Sequence, residues 1–319
     1  MTNKKPTLIQ LAAIVHADTE AKLAKHYNVV QLKNGSDNDA AIAAVRDEAV
    51  VMVTSATQST PADLIDQFPN LRAICSFGVG YDSIDVKHAQ QKGIQVSNTP
   101  DVLDDCVADH AFGLLLATAR NLGYADRYVR DNLWGSGTRF PLGVKVSHKK
   151  LGIVGLGRIG LAIAQRAAGF DMEIRYHNRK PRNDTKLGYE PSLHELAQWA
   201  DFLVIATVGG PTTRGLIDAK VLKALGPKGI LINISRGSVI DEAALVQALQ
   251  DGVVGGAGLD VYEEEPKVPD ALKTMDNVLL APHIASATVE TRIAMAELVF
   301  DNVDAYATTG KVKTPIPTL

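Results

Sequence analysis

The 319-residue chain has little cysteine and no long apolar stretch. Its two cysteines, Cys75 and Cys106, are too few for a disulfide framework or a cysteine zinc site. Free thiols are typical of a reducing compartment, so we expect a cytoplasmic protein. No apolar run reaches the roughly 18 residues that a membrane span needs, and no small-residue cleavage site follows the first apolar run. These absences predict a soluble globular protein without a membrane partner.

Neither sign of charge is in excess. The 33 Lys and Arg residues against 36 Asp and Glu give a formal net charge of −3, which argues against a nucleic-acid partner. The chain also lacks a P-loop, a Gly-x-Ser-x-Gly elbow and a complete HExxH zinc motif, since HELAQ at His194 has only one histidine. We therefore expect no metal site.

What the chain does contain is a regular alternation of short Val- and Ile-rich runs with helical stretches. These runs begin at Thr7, Val29, Val50, Ala73, Ile94, Leu151, Glu173, Phe202, Ile230, Gly256 and Val278. The alternation indicates βαβ units, and the nearly continuous apolar character indicates strands buried on both faces. With about 150 residues per domain, the predicted fold class is α/β with two doubly wound, Rossmann-like parallel-sheet domains.

A domain boundary is predicted at Asn98-Thr99-Pro100, followed by a long helix from Asp101. Thr99 can cap this helix and Pro100 can occupy its first turn. The later half of the helix is apolar. That face could cover its own domain, a domain junction or a partner subunit, so dimerisation is one of the open alternatives.

A glycine-rich loop opens the second series of runs. Gly155, Gly157 and Gly160, with Arg158 and Ile159 between the last two, directly follow an apolar strand and begin a helix. In that context the glycines allow a tight turn, a close approach to a pyrophosphate and close helix-strand packing. The loop predicts a dinucleotide site, and a glycine-rich turn without a ligand is the alternative.

The end of the next strand lacks the acidic residue that binds the ribose hydroxyls in NAD sites. Asn178 stands there instead, and a cationic cluster of Arg179, Lys180 and Arg182 follows it. Cationic side chains can bind a 2′-phosphate through charge-assisted hydrogen bonds worth about 1.5–3 kcal/mol each. The pattern favours NADP(H), with NAD(H) possible, over the alternative of a solvated basic turn.

Three polar residues lie at or just after later strand ends, where an open α/β sheet binds ligands: Arg236, Glu265 and His283. A nicotinamide enzyme needs an anion anchor, a proton donor and a group that keeps the donor protonated. Arg, His and Glu meet these needs. Taken singly, each residue could also be a surface charge, part of an acidic loop or a core histidine.

The chain resembles the D-isomer-specific 2-hydroxyacid dehydrogenase family, and within it the glyoxylate/hydroxypyruvate reductase branch. The segments that carry the resemblance are FGVGYDSID, NTPDVLDDCVADHAFGLLLATAR, KKLGIVGLGRIG, LINISRGSVIDEAALVQAL, GAGLDVYEEEP and NVLLAPHIASAT. The resemblance implies that His283 is the general acid, Glu265 its partner and Arg236 a substrate-binding residue.

The resemblance implies four further features. The Val79 and Gly80 backbone binds the substrate carboxylate, while Thr207, Thr213 and Asp260 line the cofactor. Residues 1–98 with 287–319 form the substrate-binding, flavodoxin-like domain and residues 99–286 the dinucleotide-binding domain, with the active site between them. The protein is a homodimer through the helix after Pro100. Four residues have no assigned role. Trp134, Arg139 and Phe140 resemble the reductase branch, and His148 departs from the family.

The predicted function is NADPH-preferring reduction of small 2-oxo acids, with glyoxylate and hydroxypyruvate as the leading substrates. One rival is an NAD-linked enzyme resembling phosphoglycerate dehydrogenase, against which the missing ribose-binding acid argues. The other rival is a dinucleotide-sensing protein that binds partners. Turnover discriminates the enzyme from the sensor.

Overall fold

The computed structural model describes residues 5–33 and 38–318. The chain folds as two compact units, one formed by residues up to Leu103 with those from Ala287 onward, and one by Asp104–Ser286. The first boundary falls five residues later than the sequence suggested, because Thr99 stays bonded to the first unit through its hydroxyl, which accepts from the Gly78 amide at 3.1 Å. No helix in the described ranges is long and apolar enough to cross a membrane.

The first unit is built on a five-stranded parallel sheet with the order β2-β1-β3-β4-β5. Its strands are β1 (Thr7–Gln10), β2 (Asn28–Gln31), β3 (Ala49–Ser55), β4 (Ala73–Phe77) and β5 (Gln95–Ser97). Its helices are α1 (Ala17–His26), α2 (Asp39–Val45), α3 (Ala62–Asp66), α4 (Val86–Gln91) and the C-terminal α12 (Val289–Thr309). This order is the flavodoxin-like form of the doubly wound fold.

The second unit is built on a seven-stranded parallel sheet with the order β12-β11-β10-β9-β6-β7-β8. Its strands are β6 (Lys150–Val154), β7 (Glu173–His177), β8 (Gly188–Tyr189), β9 (Phe202–Ile205), β10 (Ile230–Asn233), β11 (Gly256–Leu259) and β12 (Val278–Leu280). Its helices are α5 (Asp104–Ala119), α6 (Leu122–Arg130), α7 (Arg158–Ala168), α8 (Leu193–Trp199), α9 (Ala219–Leu225), α10 (Glu242–Gln250) and α11 (Asp270–Lys273), with a 3₁₀ turn at Gly237–Val239. The order matches the Rossmann arrangement with one added strand, so the predicted fold class is confirmed for both units.

The buried strands explain why the sequence shows continuous apolar runs. Every residue of β1, β4, β9, β10 and β11 is buried, as expected for parallel strands covered on both faces. Cys75 lies in the middle of β4, and its burial raises the pKa of the thiol to about 12. This cysteine is therefore a small apolar core residue with an unreactive sulfur.

The long helix after Pro100 begins later than predicted. Asp101 has a left-handed φ of 69°, which an α-helix cannot continue through, and α5 begins at Asp104. Thr99 does not cap the helix, since its side chain is bonded to Gly78 instead. The apolar residues of α5, such as Phe112 and Leu115, are buried within the chain, where α5 packs against α7, β10 and β11.

Candidate active site

The glycine loop lies where the strand order of the second sheet reverses. The β6 strand pairs with β7 on one side and β9 on the other, so the carboxyl ends of β6 and β9 meet at the switch point, the position at which doubly wound sheets bind nucleotides. Gly155 follows β6 with φ 97°, and a Cβ there would stand 2.6 Å from the Thr207 backbone beyond β9. Only glycine allows the two strand ends to come this close.

The remaining glycines leave room for a ligand. A Cβ on Gly160 would stand 2.3 Å from the Gly155 carbonyl oxygen, whereas a Cβ on Gly157 would meet nothing within 4 Å. Gly157 is the N-cap residue of α7, and it offers no side-chain hydrogen bond to the first amides of that helix. Open space beside uncapped helix amides suits the pyrophosphate of a dinucleotide. The residues present therefore fit the cofactor that the sequence predicts.

The predicted phosphate-binding residues follow β7. Asn178 is tied to the glycine loop, because its Oδ1 accepts from the Leu156 amide at 2.7 Å. Arg182 reaches the same loop, where its Nη1 donates to the Leu156 carbonyl at 3.0 Å, and Arg179 and Lys180 are exposed. Asp184 pairs with Arg182, Oδ1 accepting from Nε at 2.8 Å. Sequence reasoning missed this carboxylate, although it stands only two residues after Arg182.

The predicted catalytic residues meet at the carboxyl ends of β10, β11 and β12. His283 Nδ1 lies 2.7 Å from Glu265 Oε2, and the other carboxylate oxygen accepts from the Tyr262 amide at 3.1 Å. The side chains of His283 and Glu265 are 30% and 28% exposed, so both remain accessible from one side. The structure thus brings together the histidine and the carboxylate that the resemblance pairs.

Arg236 is fixed at the end of β10 by its own backbone. The buried side chain of Asn233 donates to the Arg236 carbonyl at 3.0 Å. At the next residue, a Cβ on Gly237 would stand 1.8 Å from the carbonyl carbon of Tyr262. Gly237 therefore lets the turn that carries Arg236 lie directly against the segment that carries Glu265.

The charge balance of the site favours an ionised Glu265. Burial opposes ionisation, but the hydrogen bond from His283, the charge of that imidazole, the Tyr262 amide and the charge of Arg236 together hold the pKa of the Glu265 carboxyl below its usual range. A carboxylate that stays charged in this position orients the imidazole through its Nδ1 atom.

Asp260 organises the segment after β12. It is completely buried, its carbonyl accepts from the His283 amide at 2.8 Å, and its carboxylate oxygens accept from the amides of Ile284 at 2.8 Å and Ala285 at 2.9 Å. His283 itself has a left-handed φ of 55°. Because that conformation costs free energy in a residue with a side chain, the three hydrogen bonds to Asp260 hold the histidine in place.

Other predicted residues lie in loops and at a helix start of the two units. Val79 and Gly80 follow β4 in the first unit, where Asn98 donates to the Val79 carbonyl at 2.8 Å. The Thr213 hydroxyl donates to the Val208 carbonyl at 2.7 Å, and Arg158 lies 3.5 Å from Asp104 at the start of α5. The structure gives each of these residues a definite place, and their roles in binding remain predictions.

The residues without an assigned role differ in their surroundings. Trp134 is 80% exposed, and Arg139 is exposed as well, whereas Phe140 stacks on Tyr124 with ring centroids 5.4 Å apart. His148 has a left-handed φ of 65°. Glycine adopts this conformation without a steric cost, whereas a histidine at this position is strained.

The order of the strands and the glycine loop at the switch point define the second unit as the nucleotide-binding part of a dinucleotide-dependent oxidoreductase. Residues 112–285 match the family model described as "D-isomer specific 2-hydroxyacid dehydrogenase, NAD binding domain". The chain belongs to this family of enzymes.

Similar proteins share nearly the whole chain. Glyoxylate/hydroxypyruvate reductase A of Arabidopsis thaliana is 44% identical over 297 residues, 93% of this chain and 95% of that protein. Hydroxyphenylpyruvate reductase of Plectranthus scutellarioides is 48% identical over 265 residues, 83% and 84% of the two chains. The NADPH-dependent glyoxylate/hydroxypyruvate reductase of Sinorhizobium meliloti, solved with NADP and malonate, has a TM-score of 0.91 at 43% identity and covers 98% of this chain and 97% of its own.

Proposed function

We propose that the protein is an NADPH-preferring reductase of small 2-oxo acids, with glyoxylate and hydroxypyruvate as the leading substrates. The observation that carries this proposal is the segment after β7, where Asn178 replaces a ribose-binding acid and Arg179, Lys180 and Arg182 supply positive charge. Two similar proteins, 43% and 44% identical, are named as glyoxylate/hydroxypyruvate reductases, and the former is NADPH-dependent. NADH is the weaker alternative cofactor.

Three side chains of the second unit carry the chemistry. When bound, the reduced dinucleotide supplies the hydride that adds to the carbonyl carbon. The Arg236 guanidinium binds the substrate carboxylate and polarises its carbonyl. Protonated His283 gives its proton to the carbonyl oxygen as negative charge develops there, and Glu265 orients the imidazole and balances its charge.

The remaining predicted residues hold substrate and cofactor. The backbone amides of Val79 and Gly80 bind the substrate carboxylate, in a loop that glycine leaves open. The dinucleotide is bound by the residues of the glycine loop and its neighbours: Gly155, Gly157, Arg158, Ile159, Gly160, Thr207, Thr213 and Asp260. Asn178 and the cationic residues after β7 bind the ribose and its 2′-phosphate.

A second candidate substrate class is the bulkier aromatic 2-oxo acids. The 48% identical relative is named for hydroxyphenylpyruvate, which is larger than glyoxylate or hydroxypyruvate. The same three side chains would reduce such a substrate, so the chemistry does not decide between the two classes. The size of the substrate pocket decides.

The test measures NADPH and NADH oxidation with glyoxylate, hydroxypyruvate and hydroxyphenylpyruvate. We expect turnover of the two small acids with at least about tenfold higher kcat/KM for NADPH than for NADH. Preference for the aromatic acid would move the substrate assignment to the second class, and turnover with NADH alone would overturn the cofactor assignment. Dinucleotide binding without any turnover would favour the sensor.

We infer that the protein is a cytoplasmic homodimer. No disulfide joins the two cysteines in the part of the chain that the structure describes, which agrees with a reducing compartment. The resemblance assigns the interface to the helix after Pro100, and the next helix, α6, carries two large apolar side chains that are exposed: Leu122 is 52% exposed and Val129 54%. Seven residues apart, they lie on the same side of α6 and offer an apolar contact to a partner subunit.

A further inference from the structure

Helix α5 contacts the segment of His283 at one point and Asp260, the residue that binds this segment, at another. Cys106 Sγ donates to the Ala285 carbonyl at 3.2 Å, and one turn later His110 Nε2 lies 3.2 Å from Asp260 Oδ1. Residues four apart share a helix face, so both side chains lie on the same side of α5. The His110 side chain is 22% exposed, whereas its Nε2 atom is buried.

The Asp260 carboxylate is the link between α5 and the catalytic histidine. Its oxygens accept from the amides of Ile284 and Ala285, the two residues that follow His283. His283 keeps its left-handed φ of 55° only while the backbone on its C-terminal side is held. A displaced carboxylate would therefore release the peptide segment that directs the imidazole toward Glu265.

A completely buried carboxylate needs donors and opposite charge to remain in place. Two backbone amides supply part of this requirement for Asp260, and the structure adds the His110 Nε2 atom at 3.2 Å from Oδ1. His110 Nε2 lies within ion-pair distance of the oxygen that already accepts from Ile284, although the ring does not meet hydrogen-bond geometry to it. Removing this contact would leave the buried charge with weaker compensation.

We propose that His110 is a positioning residue for His283. Its Nε2 atom fixes the Asp260 carboxylate, which holds the backbone of residues 283–285 in the conformation that presents the imidazole to Glu265 and to the substrate. This proposal rests on the proposed function, in which His283 supplies the proton. Sequence reasoning could not find His110, because a single histidine in an apolar helix carries no signal of the residue that it contacts.

The experiment compares His110→Gln with His110→Asn in the full-length enzyme. The side-chain nitrogen of glutamine stands close to the position of Nε2, whereas that of asparagine stands near Nδ1 and cannot reach Asp260. We expect His110→Asn to lower kcat about tenfold, with the KM for glyoxylate within about twofold of wild type. His110→Gln should restore kcat to within about threefold.

A second readout does not depend on activity. Hydrogen exchange of the amides of residues 283–285 should be about tenfold faster in His110→Asn and close to wild type in His110→Gln. His88→Asn is the matched control. His88 lies in α4 of the first unit, its side chain is 26% exposed, and its Nε2 atom lies 2.7 Å from the Asp66 carboxylate. This variant should change neither kcat nor exchange at 283–285.

Unchanged kcat and unchanged exchange in His110→Asn would overturn the proposal. Equal losses in the glutamine and asparagine variants, with exchange at 283–285 unaltered, would overturn it as well, because they indicate only a structural role. If His283→Ala retains full turnover, the proposed role of His283 fails, and the exchange measurement alone decides whether His110 holds the segment.

Discussion

At the scale of single residues, the proposed function depends most on His283 as the proton donor. His283→Ala removes the imidazole but leaves the glycine loop and the residues after β7 intact. We expect kcat to fall about 10²–10⁴-fold, while the dissociation constant of NADPH, measured by fluorescence titration, stays within about twofold. Turnover that survives this change would remove His283 from proton transfer.

The lowered pKa of Glu265 gives a pH-dependent contribution to stability. A carboxyl whose pKa is lower in the folded than in the unfolded state stabilises the fold above the ordinary value of about 4.3, and the contribution is lost as the pH falls through the folded pKa. Glu265→Gln keeps the shape without the charge. We expect its Tm to be about 2 °C below wild type at pH 7 and the difference to vanish as the pH approaches 3.

Thermal unfolding of both proteins between pH 7 and pH 3 checks this prediction. Glu290→Gln is the control, because Glu290 is exposed on α12 and outside the pair. A Tm difference for Glu265→Gln that stays constant across the range would show that packing, and not the carboxylate charge, is responsible.

At the scale of elements, Gly237 and Gly157 of the second unit should respond differently to substitution by alanine. In Gly237→Ala the new Cβ would stand 1.8 Å from the Tyr262 backbone, so we expect the free energy of unfolding to fall by about 3 kcal/mol. In Gly157→Ala the Cβ meets nothing, and the stability should stay within about 0.5 kcal/mol. The loss there should be in dinucleotide affinity, about tenfold.

Urea unfolding and NADPH titration of the two variants separate the effects. Normal NADPH affinity in Gly157→Ala would contradict the assignment of the open space beside α7 to the pyrophosphate. Normal stability in Gly237→Ala would show that the turn after β10 moves away from the Tyr262 segment more easily than the contact suggests.

The segment after β7 determines the predicted cofactor preference. Arg179→Ala removes an exposed cation and should raise the KM for NADPH about tenfold, with the KM for NADH within about twofold. Lys228→Ala is a matched control, because Lys228 is an exposed cation just before β10. It lies at the amino end of its strand, whereas Arg179 follows the carboxyl end of β7 in the same sheet. Equal increases for both cofactors would remove the 2′-phosphate from the assignment.

The elements differ in how far the sequence predicts them. Runs such as FLVI at Phe202–Ile205 coincide with the observed strand, because burial on both faces leaves a continuous apolar signal. The two-residue strand β8 is too short for any periodicity, and the start of α5 depends on the backbone at Asp101. The Asp184 and His110 contacts depend on side-chain directions after folding, which residue spacing does not specify.

At the scale of the whole molecule, the open question is assembly. The monomer mass is 34.1 kDa, and we expect light scattering to give about twice that value for the protein in solution. A double variant, Leu122→Asp with Val129→Asp, puts charge on the exposed face of α6 and should yield the monomer. The matched control is Val15→Asp, since Val15 is 69% exposed and lies in the first unit.

A wild-type mass of one chain would contradict the dimer. If the double variant stays dimeric and dissociates only at lower protein concentration, the protein is a dimer whose interface does not include α6. The control variant must keep the wild-type mass for either conclusion to hold.

The contact between Cys106 and Ala285 makes the Cys106 thiol a probe of the segment that carries His283. The chain has two thiols, and the one at Cys75 stays protonated and buried, so a thiol reagent modifies Cys106 alone. The Cys106 sulfur lies against the carbonyl of Ala285, two residues from His283. The rate of labelling should therefore rise when that segment moves away from α5, in the native sequence and without an attached probe.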